Sequence, residues 1–311
     1  MLLRLQQITY LSEEIKAFRF TSPDGQLLPG ASAGSHITVT LSHQLKRSYS
    51  LLNTGEQLSH YDIAVKKESA GRGGSKFMHE SLMVGKLIDV AAPVNFFELS
   101  ERAEHYVLIA DGIGVTPIYA MWQALKQRNA SYTLHYASRS AQDGIMLTEF
   151  ALDPNCKLHF DAESGIFNMS QAIAEAPEKA HFFCCGPGPM LDAYHKACAH
   201  LPPEQIHFEQ FAPAASLNQT LNVDSYEVYL AKSEQRFVVP RGQSILDCLL
   251  AAGHDLNYSC QQGICGQCET EVLVGEPCHK DQILTEAEKQ ANRSMMICCS
   301  SSRSPKLVFN L

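Results

Sequence analysis

The sequence predicts a multidomain chain: an antiparallel β-barrel, then an open α/β domain on a parallel sheet, then a small β-grasp domain. Three observations predict it. Up to about residue 100, short apolar runs alternate with period two between turn signals. From about residue 104, buried strands are each followed by stretches suited to helical crossovers. Towards the C-terminus, seven of the eleven cysteines crowd into residues 248–299. A length of 311 residues suits two or three domains better than a single core.

The barrel is expected over residues 1–102. HITVTL (36–41) and YDIAVK (61–66) alternate, and SPDG at 22, LPG at 28 and GRGG at 71 supply turns. Two segments here carry chemistry. Arg47-Ser48-Tyr49-Ser50 closes a strand; an arginine can fork onto a phosphate, and an aromatic ring can stack on another. Alone it reads better as an exposed loop arginine beside a core tyrosine. Gly71-Arg72-Gly73-Gly74-Ser75 runs into KFMHESL, and glycines followed by a hydroxyl at a helix start make a nest for a phosphate. The two together form a pair.

The α/β domain is expected over 103–212, with strands HYVLIA (105–110), YTLHYAS (132–138) and HFFCCG (181–186). Gly112-Ile113-Gly114-Val115-Thr116-Pro117 follows the first strand, with Thr116 expected as the helix N-cap and Pro117 at the first helical position. Such a turn lets backbone amides approach a pyrophosphate. It departs from the usual dinucleotide fingerprint, because the third glycine is missing and no Asp or Glu occurs from 115 to 142. Cys184-Cys185-Gly186-Pro187-Gly188-Pro189-Met190 closes a later strand, and a cysteine is small and polarizable enough to sit beside a ring. Ser138-Arg139 ends another strand and is read either as meeting an adenosine or as a solvated surface pair. Asp161 and Glu163 follow the strand KLHF, where a carboxylate reads a ribose hydroxyl or is simply solvated. A carboxylate would repel a 2′-phosphate, which favours NADH over NADPH.

A polar stretch at 213–225 is expected to be a linker, followed by the last domain over 226–311. Its core signal is Cys260-Gln-Gln-Gly-Ile-Cys265-Gly-Gln-Cys268, and 29 residues separate Cys268 from Cys298. This is plant-type [2Fe–2S] spacing, in which two irons take tetrahedral sulfur from four thiolates. A zinc site would more often show two C-x2-C knuckles. Cys299 competes with Cys298 for the fourth position, and the 29-residue gap favours Cys298. Gly263 and Gly266 suit a loop that wraps tightly enough to bring backbone N–H groups to the sulfurs. Cys156, Cys198, Cys248 and Cys278 read as ordinary thiols.

The R-x-Y-S, GRGGS, GIGVTP, CCGPGPM and HFEQF segments, followed by a C-terminal plant-type ferredoxin, resemble in order the phthalate dioxygenase reductase family. The vanillate demethylase and carnitine monooxygenase reductases are relatives. The resemblance implies a flavin held by Arg47, Ser48, Tyr49, Ser50, Ala64, Lys66, Gly73, Gly74 and Ser75. Tyr49 would lie against the isoalloxazine and Ser50 near its N5. The spacing and the GRGGS form are similar to the FMN reductases rather than those that bind FAD. The resemblance further implies NADH held by Gly112, Gly114, Thr116, Pro117, Ser138, Arg139, Asp161, Cys185, Gly186, Pro187 and Met190. Glu209 would help place the nicotinamide, and Gln210 departs from the serine that members often carry there. Tyr49, Ser50, Cys185 and Glu209 are thus the expected catalytic set, aligning N5 of the flavin with C4 of nicotinamide. Electrons would pass from NADH through FMN to the cluster at Cys260, Cys265, Cys268 and Cys298, and on to a Rieske-type oxygenase. The alternatives are a free-standing flavin reductase or NADH oxidase, and a donor to a different acceptor.

Composition narrows the remaining classes. A formal charge of −8 without a basic stripe speaks against nucleic acid. No apolar run approaches the roughly 18 residues of a membrane span, and MLLRLQQITYLSEEIKAFRF lacks the features of a signal peptide. A cytoplasmic, monomeric protein is the expectation, with its cysteines serving metal or redox chemistry.

Overall fold

The structure is a computed structural model that describes residues 1–42, 45–101, 103–212 and 225–311. These form two compact units, Met1–Phe211 and Ala212–Leu311.

The barrel opens the first unit with β1 (Leu2–Tyr10), β2 (Ile15–Thr21), β3 (Leu28–Ala31), β4 (His36–Ser42), β5 (Leu45–Ser50), β6 (Gly55–Leu58) and β7 (Tyr61–Lys66), followed by α1 (Gly74–Glu80) and β8 (Leu87–Val90). Six strands run in the order β5-β4-β8-β1-β2-β7, every pairing antiparallel, while β3 and β6 form a separate ribbon. The chain leaving β5 then returns to the opposite edge. Leu51 bridges to Ile63, and Leu52 N–H donates to the Asp62 carbonyl at 2.8 Å, so the edges meet. Alternation decides which side chains fill the interior: on β2, Phe18 and Phe20 point into the core, while Arg19 between them forks onto Asp62 at 2.8 and 2.6 Å.

The second half of this unit contains β9 (His105–Asp111), α2 (Val115–Gln127), β10 (Tyr132–Ser138), α3 (Leu147–Ala151), β11 (Cys156–Phe160), α4 (Asp161–Ser164), α5 (Met169–Ala174), β12 (Ala180–Cys185), α6 (Gly188–Cys198) and β13 (Ile206–Glu209). The sheet is wholly parallel, in the order β11-β10-β9-β12-β13. Strand order therefore reverses between β9 and β12, which makes their carboxyl ends the topological switch point where open sheets bind ligands. Both faces are covered. Leu108, Ala110, Phe183 and Cys185 pack on the α2 side, and Val107, Ile109, Phe182 and Cys184 on the α5 and α6 side. The barrel residues Ile15, Ala33, Leu52, Ala64 and Phe97 join the α2-side cluster, so barrel and sheet share one core.

The helix start differs from expectation. Gly112–Gly114 forms a 3-10 turn that runs into α2, so the helix begins at Val115 and Gly114 occupies the cap position. Thr116 is therefore not the N-cap. It lies inside the first turn, buried, and its hydroxyl donates back to the Ile113 carbonyl at 3.0 Å. Pro117 becomes the third helical residue rather than the first, a position whose missing N–H still costs no helical bond.

The second unit contains β14 (Ser225–Leu230), β15 (Gln235–Pro240), α7 (Ile245–Ala251), β16 (Glu269–Val274), β17 (Pro277–Cys278), α8 (Glu286–Ala291), β18 (Ser294–Met296), β19 (Ser301–Ser302) and β20 (Lys306–Phe309). Five strands make a mixed sheet in the order β15-β14-β20-β16-β18, with β14 and β20 parallel and the other pairs antiparallel. α7 lays Ile245, Leu246 and Leu249 into a core with Leu307 and Phe309. This is the expected β-grasp arrangement. The expected linker at 213–225 lies outside the described residues except for Ser225, which opens β14. Among the described residues, no helix is long and apolar enough to cross a membrane.

Candidate functional site

The end of β5 and the end of β13 meet. Ser50, buried at the close of its strand, has its Oγ 3.5 Å from Glu209 Oε2. Burial pushes the Glu209 carboxyl up to about 8, against a smaller opposing effect of the Ser50 hydrogen bond. Glu209 pairs in register with Cys185 on β12. Cys185 is fully buried, and burial, with Glu209 next to it, raises its thiol well above the ordinary range. It stays a neutral, polarizable thiol rather than a nucleophilic thiolate. Three of the four residues expected to align the reactants thus occupy one junction.

Tyr49 lies opposite Ile37 on the neighbouring strand, half-buried against the barrel core, and burial raises its phenol. Arg47 turns towards the glycine loop. Its guanidinium donates to the Arg72 carbonyl at 3.0 Å and to the Lys46 carbonyl at 2.7 Å, and it lies across Gly74 so closely that a Cβ there would come within 2.6 Å of its Cγ. Gly73, with φ of 81°, takes the left-handed conformation that lets this loop enter α1. Ser75 Oγ accepts from Glu68 N–H at 3.0 Å, and Ser48 Oγ lies 3.0 Å from Thr38 Oγ1. Ala64 is buried in the shared core.

At the switch point, the two turns that end β9 and β12 are packed against each other. A Cβ on Gly114 would overlap the Cys185 carbonyl, and one on Gly186 would come within 2.8 Å of Met190 Sδ and 3.3 Å of Asp111 Cβ. At Gly114 only glycine allows the two backbones to approach, whereas at Gly186 the near atom is the end of a flexible side chain. Pro187 caps α6 from an extended conformation.

Charged groups gather around the same sheet ends. Asp111 ends β9 half-buried, and its carboxyl is pushed up to about 6 by burial and by Asp161, with Lys66 and Arg139 acting the other way. Glu14 links the two cations, 3.7 Å from Lys66 Nζ and 3.9 Å from an Arg139 nitrogen. Asp161 Oδ1 is shielded from solvent and has no hydrogen-bond partner among the described residues; His159 Nε2 stands 3.5 Å away. Ser138 is buried, and its hydroxyl donates to the Ser140 carbonyl within its own turn. Asp111 and Glu14 were not singled out from the sequence. The signal for Asp111 was its place as the last residue of a buried strand before a glycine turn, whereas Glu14 carried none.

In the second unit, the cysteine loop folds on left-handed residues at Gln261, Gly263 and Gly266. Cys260 N–H points to Cys265 Sγ at 3.4 Å, and Gln262 N–H to Cys260 Sγ at 3.3 Å. The thiols of Cys265 and Cys298 hold the Cys260 sulfur far below the usual thiol range, and Cys298 in turn interacts with Cys260, Cys268 and Cys299. Cys299 directs its thiol to the Met296 carbonyl at 3.7 Å, and fits against Gly263. The sulfurs of Cys260, Cys265, Cys268 and Cys298, with Cys299 beside Cys298, gather at a loop whose N–H groups point at two of them, and thiolates so gathered suit a [2Fe–2S] cluster.

The family model described as 2Fe-2S iron-sulfur cluster binding domain matches residues 228–303, and that described as oxidoreductase FAD-binding domain matches residues 2–99. A solved phthalate dioxygenase reductase, described as modular for electron transfer from pyridine nucleotides to [2Fe–2S], is 31% identical with a TM-score of 0.74, over 100% of this chain and 98% of its own. The chain belongs to the phthalate dioxygenase reductase family. Its relatives in that family include tetrachlorobenzoquinone reductase of Sphingobium chlorophenolicum, 40% identical over 98% of this chain and 96% of the relative. Phenoxybenzoate dioxygenase subunit beta of Ectopseudomonas oleovorans is 41% identical over 99% of this chain and 97% of the relative. Like them it is an oxidoreductase, with a flavin-binding and a [2Fe–2S] domain, of the kind that serves oxygenase systems.

Proposed function

We propose that this protein is the reductase component of a Rieske-type oxygenase, taking electrons from NADH through FMN to a [2Fe–2S] cluster and on to its partner. The observation that carries the reading is the junction of Ser50, Glu209 and Cys185, which joins the barrel to the switch point of the parallel sheet. When bound, the flavin exchanges two electrons with nicotinamide and single electrons with the cluster.

The residues divide the work. Arg47, with Gly73, Gly74 and Ser75, is suited to the flavin phosphate: the guanidinium is already held at the mouth of the glycine loop. A single phosphate cradle favours FMN over FAD. Tyr49 gives the ring an aromatic surface, and Ser50 supplies a hydroxyl beside it. On the other side, the close approach of Gly114 and Gly186 makes room for a pyrophosphate, while Cys185 and Glu209 border the nicotinamide. Asp161 Oδ1, which has no hydrogen-bond partner among the described residues, is an acceptor that a ribose hydroxyl would satisfy, and Asp111 adds a second carboxylate that disfavours a 2′-phosphate. In the cysteine loop, the contacts of Cys298 with Cys260 and Cys268 favour it over Cys299 as fourth ligand. We read the protein as a cytoplasmic monomer with barrel, nucleotide and cluster domains at 1–102, 103–212 and 226–311.

A second reading, direct reduction of a small quinone, is favoured by the relative named tetrachlorobenzoquinone reductase. Steady-state rates with a Rieske oxygenase and with a benzoquinone, each in wild type and Cys265→Ser, separate the two. Loss of only the oxygenase rate supports the reductase reading with a quinone side activity. A Rieske rate that survives Cys265→Ser contradicts the cluster relay.

A further inference from the structure

Behind the cysteine loop lies a carboxylate with no part in the reading so far. Asp281 belongs to the segment between β17 and α8, and its side chain has 0% exposure. Oδ2 accepts from Leu284 N–H at 3.0 Å, and Oδ1 accepts from the Ser300 hydroxyl at 3.5 Å. The His279 ring, itself 8% exposed, stands 3.5 Å from Oδ1, and neither of its nitrogens has a hydrogen-bond partner among the described residues.

Two ties bring this carboxylate against both parts of the ligand set. Gln282 N–H donates to the Gly263 carbonyl at 2.9 Å, and a Cβ on Gly263 would come within 3.0 Å of Asp281 Cα, so the segment is clamped to the turn between Cys260 and Cys265. On the other side Ser300, two residues beyond Cys298, donates to Asp281 and accepts from Lys280 N–H at 3.1 Å. Each oxygen takes its own donor, whereas asparagine would keep one acceptor and turn an amide NH2 towards the other tie. Burying an ionised carboxylate is costly, and two donors offset that cost only in part. In a poorly solvated interior a fixed charge acts on its neighbours with little screening.

We propose that Asp281 is a positioning residue that sets the reduction equilibrium of the cluster: its buried charge disfavours the added electron, so the loop gives that electron up readily. The proposal rests on the reading of the loop as a [2Fe–2S] site.

The test is a potentiometric titration of full-length wild type, Asp281→Asn and Ser300→Ala, followed by the EPR signal of the reduced cluster, with iron content measured on each. Asp281→Asn should shift the equilibrium towards the reduced form by about tenfold or more, 59 mV for a one-electron couple. Ser300→Ala keeps the charge but strips it of a donor, and should shift the equilibrium the other way. Shifts in the same direction, or none in either variant, would overturn the proposal, since a purely structural role has no reason to give opposite signs. If Asp281→Asn fails to assemble a cluster, Ser300→Ala decides alone, and an unchanged or raised potential overturns the proposal. Absence of a [2Fe–2S] signal in wild type would instead overturn the reading of the loop.

Discussion

Ser50 Oγ stands 3.5 Å from Glu209 Oε2, so the last residue of a barrel strand touches the last residue of the outer strand of the parallel sheet. The contact spans 159 positions of sequence and marks where the two halves of the first unit converge on one site. Because burial lifts the Glu209 carboxyl from 4.5 to about 8, the folded chain holds that proton more tightly than the unfolded chain. The stabilisation from holding it is complete below about pH 4.5 and is lost as pH rises through about 8. Glu209→Gln has no such dependence. Its thermal stability relative to wild type should improve between pH 5 and pH 8 by about 1–3 kcal/mol. Parallel stability curves for the two proteins across that window would contradict the raised Glu209 carboxyl.

Gly114→Ala tests the close approach of the two turns. The new Cβ would overlap the Cys185 carbonyl, forcing the ends of β9 and β12 apart. A loss of stability of about 1–3 kcal/mol is expected, with the KM for NADH rising more than kcat falls. A variant with wild-type KM would show that the nucleotide does not use this turn.

Asp111 gives nucleotide binding a pH dependence. Its carboxyl, pushed up to about 6 by burial and Asp161, ionises as pH rises from 5 to 7 and then opposes an incoming pyrophosphate. The KM for NADH should therefore rise across that interval in wild type and stay flat in Asp111→Asn. In Asp161→Asn, the ratio of kcat/KM for NADH to that for NADPH should fall about tenfold, equivalent to about 1.4 kcal/mol. A ratio that does not move would remove Asp161 from the ribose site.

Cys298 and Cys299 interact with each other but differ in their further partners. Cys298 meets Cys260 and Cys268, while the Cys299 thiol faces the Met296 carbonyl. Cys299→Ser should keep the EPR signal of the reduced cluster, and Cys298→Ser should lose it. The opposite pattern would transfer the ligand to Cys299.

Local patterns in the sequence carried much of the fold. YTLHYAS becomes β10 with both of its bounds, because a short run rich in strand-favouring Tyr and Thr between two helices suits a buried parallel strand. The start of α2 was misjudged because glycines at 112 and 114 read as a turn, yet their backbone tightens into helix and draws Thr116 inside. α8 was missed, although Thr285 and Glu288 form a capping box whose spacing is visible in the sequence. At the site, the segments that the sequence marks are runs of neighbouring residues, Arg47 to Ser50 and Cys260 to Cys268. The link through Glu14 was not. It joins Lys66 and Arg139 only because β2 and the sheet ends are brought together in three dimensions, and a glutamate between two strands carries no sign of that.

The relay from NADH through flavin to cluster is tested most directly by mixing the protein with NADH without oxygen and following flavin absorbance and cluster EPR on freeze-quenched samples. Flavin bleaching should come first, with the reduced [2Fe–2S] signal following in wild type and absent from Cys298→Ser. A flavin that bleaches while the wild-type cluster stays oxidised would contradict the account.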